Sequence, residues 1–234
     1  AFWNETEGFY GRFKDLAVVE MAAVAGIVSN STRDPLNATT YGVGQLVNHA
    51  IESGCRRILI GLGGSCTNDA GAGMAAAIGT RFYNEKGDEF VPTGGNLSEV
   101  VRIDNSKADE KLSGIKLSCM CDIDNHLYGK EGAAYKFARQ KGASSHDIRL
   151  LDSNLFAFAK TIKREFGIDV ANLPGGGAAG GMGAGAFAML GAGIQSGIDY
   201  ILDLIRFDEF LHDCDLVITG EGRLDDQSLD GKVI

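Results

Sequence analysis

The amino-acid sequence of 234 residues predicts an α/β fold with a parallel sheet. One observation is the order of predicted elements over residues 41–78: a helix, a strand, a polar loop and a second helix. This alternation builds parallel sheets. The other observation is that three strand-like apolar runs each end in a cluster of polar residues, near positions 61, 121 and 218. Ligands of open α/β sheets bind beyond the carboxyl ends of the strands, so the three clusters predict one polar site.

The first part of the chain supplies four of the predicted elements. Residues 17–21 form a short apolar strand. Apolar residues then recur at helical spacing from Tyr41 to Ser53. A strand begins at Ile58, and a helix extends from Ala70 to Ile78. These four elements carry the strand and helix alternation on which the fold class depends.

The later part of the chain supplies two strands and the longest helix. Residues 116–121 form one strand, and Asp215–Ile218 form the last one. Ser145–Phe166 carries an apolar stripe at helical spacing, which predicts a helix capped by Ser145 and closed by Gly167. We expect this helix to serve mainly in packing.

A run rich in glycine and alanine extends from Leu173 to Gly197. It has no collagen period, and its alanine and methionine content is not typical of a solvated linker. Pro174–Gly181 is predicted to be a loop and Met182–Leu190 a helix. Two interpretations stay open: the backbone lets a nucleotide approach closely, or a helix packs tightly through small residues.

The composition excludes several classes of protein. The net charge is −9, from 31 acidic and 22 basic side chains, and no basic run is long enough to follow a nucleic-acid backbone. No apolar stretch reaches the ~20 residues of a membrane-spanning helix. Five scattered cysteines are typical of reduced thiols, which predicts a cytoplasmic location. The missing initial methionine and the abrupt end at Ile234 predict a fragment of a longer protein.

The loop at residues 63–69 is the first candidate binding site. It lies between a predicted strand and a predicted helix, where backbone N–H groups attract anions. Neither common phosphate-binding pattern is present: Cys66 stands where a dinucleotide loop needs glycine, and Asp226 stands at the first glycine position of a P-loop ending in Gly231-Lys232. A tight turn of small residues explains the loop equally well. Its candidate ligand-binding residues are Gly63, Gly64, Ser65, Thr67, Asn68 and Asp69.

Acidic residues follow the other two strands. Asp122 and Asp124 come after the strand at 116–121, and Glu221 and Asp225 come after Asp215–Ile218. Mg²⁺ commonly binds one or two carboxylates together with substrate phosphates, so these acids predict a magnesium site. Each acid taken alone is better explained as a cap of a turn or helix. Arg223 and Lys232 are suited to holding a carboxylate or a phosphate.

Seven blocks of sequence, in order along the chain, carry a family resemblance. They are Val19–Ala22, Arg33–Leu36, Gly61–Met74, Cys121-Asp122, Gln140–Ala143, Pro174–Gly183 and Val217–Lys232. As a set they resemble the bacterial-type glycerate kinase family, which phosphorylates D-glycerate with ATP. The chain departs from the family pattern at three places. The family usually has glycine at the position of Ala70 and commonly alanine at the position of Cys66. Before Gln140 the family has a glycine-proline pair, whereas this chain has Phe137-Ala138-Arg139.

The resemblance implies two α/β domains with the active cleft between them. One is a flavodoxin-like (Rossmann-like) parallel-sheet domain, and the other is a restriction-endonuclease-like α/β domain inserted into it. Residues 1–80 and 206–234 would form the first domain, incomplete at both ends, and residues 81–205 the inserted one. A change to charged segments with glycine turns, between Thr80 and Gly114, agrees with a boundary there. Family members are considerably longer at both ends.

The resemblance also implies the reaction: phosphorylation of D-glycerate by ATP with Mg²⁺, giving 2- or 3-phosphoglycerate. ATP and D-glycerate are the expected ligands, with neither nucleic acid nor membrane as a partner. The predicted catalytic residues are Asp122, Glu221, Arg223, Asp225 and Lys232. The predicted metal ligands are Asp122, Asp124, Glu221 and Asp225. Gly177 joins the residues of the 63–69 loop as a predicted contact to substrate or phosphate.

Two alternatives stay open. A Mg²⁺-dependent phosphatase also uses acids at strand ends, but it needs no ATP. A fragment that binds an organic acid without catalysis is the other, and the sequence leaves open whether the fragment alone is active. It is also silent on which hydroxyl is phosphorylated and on the oligomeric state.

Overall fold

The computed structural model describes residues 1–28, 33–212, 214–218 and 220. Its strands are β1 (Gly11–Phe13), β2 (Leu16–Glu20), β3 (Arg57–Gly61), β4 (Arg81–Tyr83), β5 (Glu89–Phe90), β6 (Arg102–Asp104), β7 (Lys116–Met120) and β8 (Gly193–Gln195). They form a five-stranded sheet in the order β1-β2-β3-β7-β8 and a three-stranded sheet in the order β5-β4-β6. Strands β2, β3, β7 and β8 are parallel, and β1 is antiparallel to β2. The predicted α/β class with a parallel sheet is confirmed.

Helices follow or connect the strands along the described chain. They are α1 (Ala22–Ala25), α2 (Tyr41–Glu52), α3 (Ala72–Ile78), α4 (Ser106–Leu112), α5 (Ala133–Phe137), α6 (Ser145–Phe166), α7 (Ala178–Leu190), α8 (Gly197–Ile205) and α9 (Phe207–Leu211). Short 3₁₀ turns occupy Leu97–Glu99 and Arg139–Lys141. None of these helices is both long enough and apolar enough to cross a membrane.

Helix α6 has the predicted bounds but a different cap. The N-cap is Ser144, one residue earlier than predicted. Its hydroxyl accepts a hydrogen bond from the Asp147 backbone N–H at 3.2 Å, and the Asp147 carboxylate accepts one from the Ser144 backbone N–H at 2.8 Å. This reciprocal pair is a capping box, and it needs an acceptor three residues after the cap. Asp147 satisfies that spacing from Ser144, which explains the shift.

The prediction of a strand at Asp215–Ile218 is wrong. These residues carry no strand, and Leu216, Val217 and Ile218 are 76%, 53% and 88% exposed. A strand needs a neighbour to complete its hydrogen bonds. No strand of either sheet pairs with this segment within the described ranges, so an apolar sequence alone does not make it a strand.

The parallel strands end level with one another. Glu20 pairs with Gly61, Gly61 with Met120, and Met120 with Gln195. The loops that follow β2, β3, β7 and β8 therefore leave the sheet at one edge. Two of the three predicted polar clusters, after β3 and after β7, lie side by side there, and the loop after β8 leaves the sheet next to the second of them.

The two sheets do not divide the chain at residues 80 and 205. Strands β7 and β8 fall inside the range 81–205, yet they belong to the same sheet as β2 and β3. Within the described residues, only the three-stranded sheet is built wholly from this range. The division into a flavodoxin-like and an inserted domain stays a prediction.

Candidate functional site

The loop after β3 has an exposed tip and a buried base. Gly63 and Gly64 are exposed, whereas residues 65–70 are buried. Gly64 adopts φ +70, a left-handed conformation that glycine tolerates best. The backbone of the loop is tied to the segment after β2, because Ile27 N–H donates to Gly64 O at 2.8 Å and Cys66 N–H donates to Ala25 O at 2.9 Å. The loop is therefore held by two neighbouring strand ends.

Asp69 is part of the framework below this loop. It is fully buried, and burial raises the pKa of its carboxyl group, against the opposing effect of its hydrogen bonds. Its carboxylate accepts hydrogen bonds from the backbone N–H and the hydroxyl of Thr40 at 2.7 and 2.8 Å. It also accepts from Gly71 N–H at 3.2 Å and Gly73 N–H at 3.3 Å. Asp69 joins the starts of α2 and α3, so we assign it to the framework rather than to ligand contact.

Lys141 lies beneath the loop and was not among the residues predicted from sequence. Its side chain is buried, and its ammonium donates to Ser65 Oγ at 2.8 Å and to Thr67 O at 2.7 Å. Burial lowers the pKa of Lys141 to about 8. The only sequence signal for it was its place in the Gln140–Ala143 block, because a single lysine in a short turn usually lies in solvent.

Three polar side-chain atoms of the loop have no hydrogen-bond partner among the described residues. They are the Thr67 hydroxyl oxygen and both polar atoms of the Asn68 amide. Thr67 and Asn68 are fully buried, so these groups are removed from water and gain no hydrogen bond from the described protein in exchange. Buried polar atoms are nearly always paired, and exceptions concentrate where a ligand or an ordered water completes them. The base of the loop is thus a polar site with unused hydrogen-bonding groups.

Several glycines of the glycine-rich run pack tightly against neighbouring backbone, including that of this loop. A Cβ added at Gly180 would lie 2.2 Å from Thr67 O, and one added at Gly185 would lie 1.8 Å from Ala70 O. At Gly177 the added Cβ would lie 2.2 Å from His126 O. Backbone occupies the space beside each glycine, which supports the interpretation of tight packing. The contact of Gly177 to substrate stays a prediction.

The two acids after β7 lie on the surface. One oxygen of Asp122 accepts a hydrogen bond from Gly197 N–H at 2.8 Å and from Ser196 Oγ at 3.4 Å, at the start of α8. Asp124 is exposed and has no hydrogen bond to another described residue. Both acids line a cavity of about 560 Å³, together with residues of the loops near 174 and 196. None of residues 63–69 lines it. The two acids and the loop at residues 63–69, which we call the donor loop, therefore lie at the same edge of the sheet but do not line the same cavity.

The acids fit a magnesium ion only in part. Among the described residues, no group of three or more His, Cys, Asp or Glu side chains is placed to hold a metal ion. Mg²⁺ usually takes one or two carboxylates and completes its shell with water and phosphate oxygens. Asp124 and the second oxygen of Asp122 accept no hydrogen bond from another described residue, so both remain open to such a role. The other predicted ligands and catalytic residues, Glu221, Arg223, Asp225 and Lys232, lie outside the described residues.

The fold and the site define an α/β protein that presents a hydrogen-bonding loop and a pair of acids at the carboxyl edge of a parallel sheet. Comparison with known proteins identifies the family. The model of the glycerate kinase family matches residues 1–234. The chain belongs to this family, and the resemblance seen in the seven sequence blocks is confirmed.

Individual relatives agree with the family match. The alignment with the glycerate kinase of Bacillus cereus covers 98% of the present chain at 46% identity. The alignment with the glycerate 2-kinase of Escherichia coli also covers 98% of the present chain, at 47% identity. Among solved structures, a candidate glycerate kinase 2 from Salmonella typhimurium LT2 is 44% identical over 96% of the chain, with a TM-score of 0.88. In each case the chain spans 61% of the length of the relative.

Proposed function

We propose that the chain contributes the donor loop and the two acids after β7, Asp122 and Asp124, to a glycerate kinase. The enzyme transfers the γ-phosphoryl group of ATP to a hydroxyl of D-glycerate, in the presence of Mg²⁺. Membership of the glycerate kinase family and the names of the relatives from B. cereus and E. coli support this reaction. D-glycerate and ATP are then the ligands of the site.

The observation that carries the proposal is the pairing of two chemistries at one sheet edge. The end of β3 leads to Ser65, Thr67 and Asn68, and the end of its neighbour β7 leads to Asp122 and Asp124. A glycerate carboxylate and a phosphate both need hydrogen-bond donors, whereas a metal ion bound to phosphate needs carboxylates. Phosphoryl transfer depends chiefly on positioning and on neutralising charge, which this pair of surfaces supports.

The acids have two roles in this reaction. Asp122 and Asp124 would hold Mg²⁺, which when bound offsets negative charge on the transferring phosphoryl group. Glu221 and Asp225, which lie outside the described residues, remain proposed partners for the metal or for the glycerate hydroxyl. The hydroxyl oxygen forms a bond to the γ-phosphorus, the bond to the bridging oxygen of ADP breaks with its electron pair, and a carboxylate takes the hydroxyl proton. Arg223 and Lys232 are proposed to hold the substrate carboxylate or the phosphate.

A reducing compartment is part of the proposal. The five cysteines are free, and Cys55, Cys66 and Cys119 are buried. Burial raises the pKa of Cys119 to about 12, so this thiol stays protonated and unreactive. These features support a cytoplasmic enzyme.

Phosphorus NMR of the reaction products tests the proposal. The protein as naturally expressed is incubated with D-glycerate and MgATP, and we expect a new phosphomonoester resonance whose coupling distinguishes 2- from 3-phosphoglycerate. An Asp225→Asn variant should lose most of its turnover with little change in Tm. Absence of any phosphoglycerate overturns the proposal.

Two control incubations separate the alternatives. Release of phosphate from phosphoglycerate without ATP would identify a phosphatase. Calorimetric binding of D-glycerate that is indifferent to MgATP, with no product, would identify a binding module. Either result contradicts the kinase proposal and names its replacement.

A further inference from the structure

The hydrogen bond between Lys141 and Ser65 fixes the direction of the Ser65 hydroxyl. An ammonium group has donors and no acceptor. Ser65 Oγ must therefore be the acceptor in its 2.8 Å contact with Lys141 Nζ. The hydroxyl hydrogen is left to point elsewhere, and no described residue accepts it. Ser65 is thus prepared to donate to something other than the described protein.

The rest of the loop also contains unpaired polar groups. The Thr67 hydroxyl and the Asn68 amide have no partner among the described residues. Ser65 is 7% exposed, whereas Thr67 and Asn68 are fully buried, so a ligand reaches Ser65 first. The carbonyl of Thr67 is already used, because it accepts from Lys141 at 2.7 Å. The free group nearest to solvent is therefore the hydroxyl hydrogen of Ser65, which is a donor.

The charge of Lys141 is only partly compensated. No ion pair to Lys141 occurs within the parts of the chain that the structure describes, and the nearby ionisable groups are Cys66 and Asp69. The Asp69 carboxylate is shared among four donors from Thr40, Gly71 and Gly73. The Cys66 thiol is buried, which raises its pKa and keeps it neutral near pH 7. A buried cation with weak compensation is costly to fold.

We propose that Lys141 is a positioning residue that turns Ser65 into a hydrogen-bond donor for an anionic oxygen of the ligand. That oxygen belongs to a carboxylate or to a phosphate, the two anionic groups that glycerate and ATP bring to the site. The assignment rests on the proposed function for the identity of the ligand. The positioning of Ser65 by Lys141 rests only on the geometry of these two residues.

Direct binding distinguishes the two sources of the anionic oxygen. Calorimetry measures D-glycerate without nucleotide and, separately, ATP without glycerate, on the protein as naturally expressed. We expect Ser65→Ala to weaken one of these ligands by about tenfold or more, the usual effect of losing a hydrogen bond to a charged group. Ser65→Thr is the matched control, because it keeps the hydroxyl and should retain most of the affinity.

A double-mutant comparison tests whether Lys141 acts through Ser65. Lys141→Met keeps an unbranched side chain, one heavy atom shorter than that of lysine, and removes the charge. We expect it to weaken the same ligand as Ser65→Ala, and the double variant to bind no more weakly than Lys141→Met alone, since both changes remove one donor. Fully additive losses in the double variant contradict the proposal, as does unchanged affinity in Ser65→Ala.

The wild-type protein provides a readout that does not depend on the folding of a variant. Affinity for the anionic ligand should fall as the pH rises from about 7 to 9.5, because Lys141 loses its proton with a pKa of about 8. Ser65→Ala should show a much smaller fall, and a fall of equal size would contradict the proposal. If these effects appear but no phosphoglycerate forms, the role of Lys141 stands and the kinase proposal fails.

Discussion

Two glycine-rich segments meet in this molecule, and they use glycine in opposite ways. In the loop at residues 63–69, Gly63 is exposed and a Cβ added there would have no heavy atom within 4 Å. In the run from Gly175 to Gly191, most glycines are buried, and an added Cβ at Gly185 would lie 1.8 Å from a backbone oxygen. Glycine leaves the backbone of the loop at residues 63–69 open to solvent, whereas in the run from Gly175 to Gly191 it allows the backbone to approach its neighbours closely.

The comparison shows that the second segment supports the first. Gly180 O accepts a hydrogen bond from Ala70 N–H at 3.0 Å, and the backbone of α7 passes directly beside Thr67 and Ala70. Ala70 itself adopts φ +50, a left-handed conformation that residues with a Cβ rarely adopt. The small residues of α7 are therefore needed for the shape of the loop, although they lie behind it.

The largest expected effect comes from adding a methyl group to the packed segment. Gly185→Ala forces the new Cβ against Ala70 O, and the helix cannot move without displacing the loop. We expect the free energy of unfolding to fall by about 3 kcal/mol or more, at the upper end of overpacking effects. Chemical denaturation of the protein as naturally expressed measures this change.

Gly63→Ala is the matched control for Gly185→Ala. It adds the same methyl group to the other glycine-rich segment, in open space. Its free energy of unfolding should change by less than about 0.5 kcal/mol, as for most surface substitutions. Equal losses in the two variants would show that the contrast between the segments is not real.

A change in pH isolates the energetic cost of Lys141, which lies beneath the loop at residues 63–69. Its pKa is about 8 in the folded protein against an ordinary value of 10.5, so the unfolded state binds more protons between these values. The free energy of unfolding contributed by Lys141 therefore rises with pH in this window, by about 1 kcal/mol between pH 8 and 9. The buried thiols have the opposite effect above about pH 9, because their folded pKa values are raised.

Lys141→Met contains the same thiols as wild type, so the difference in the free energy of unfolding between the two proteins excludes the contribution of the thiols. Wild type should gain stability relative to this variant as the pH rises from 8 to 9, measured by denaturant unfolding at each pH. Parallel curves for the two proteins would show that folding does not lower the pKa of Lys141, because the folded and unfolded states would then bind equal numbers of protons at this residue.

The smallest expected effect concerns ligand binding at the loop tip. Gly63→Ala leaves the fold intact but places a methyl group where the ligand would approach. We expect the KM for D-glycerate or for ATP to rise several-fold, with kcat less affected, as for loss of uniform binding. Unchanged kinetics would locate the ligand away from the tip and leave Ser65 as the nearest contact.

The sequence predicted those elements that local pattern decides. Helix α6 and strands β2, β3 and β7 follow from the spacing of apolar residues, because each buries one face or both faces. The strand predicted at Asp215–Ile218 has an equally apolar sequence but no neighbouring strand among the described residues. An apolar run predicts that a segment should be buried, not which neighbour will bury it.

The sequence by itself determined the α/β class, the family and the two polar loops after β3 and β7. Only the tertiary structure placed Lys141 beneath Ser65, gave Asp69 to the framework, and separated the loop from the cavity of Asp122 and Asp124. Lys141 and Ser65 are 76 residues apart in sequence. Contacts between such distant residues depend on how whole elements pack, and no local spacing or composition encodes them.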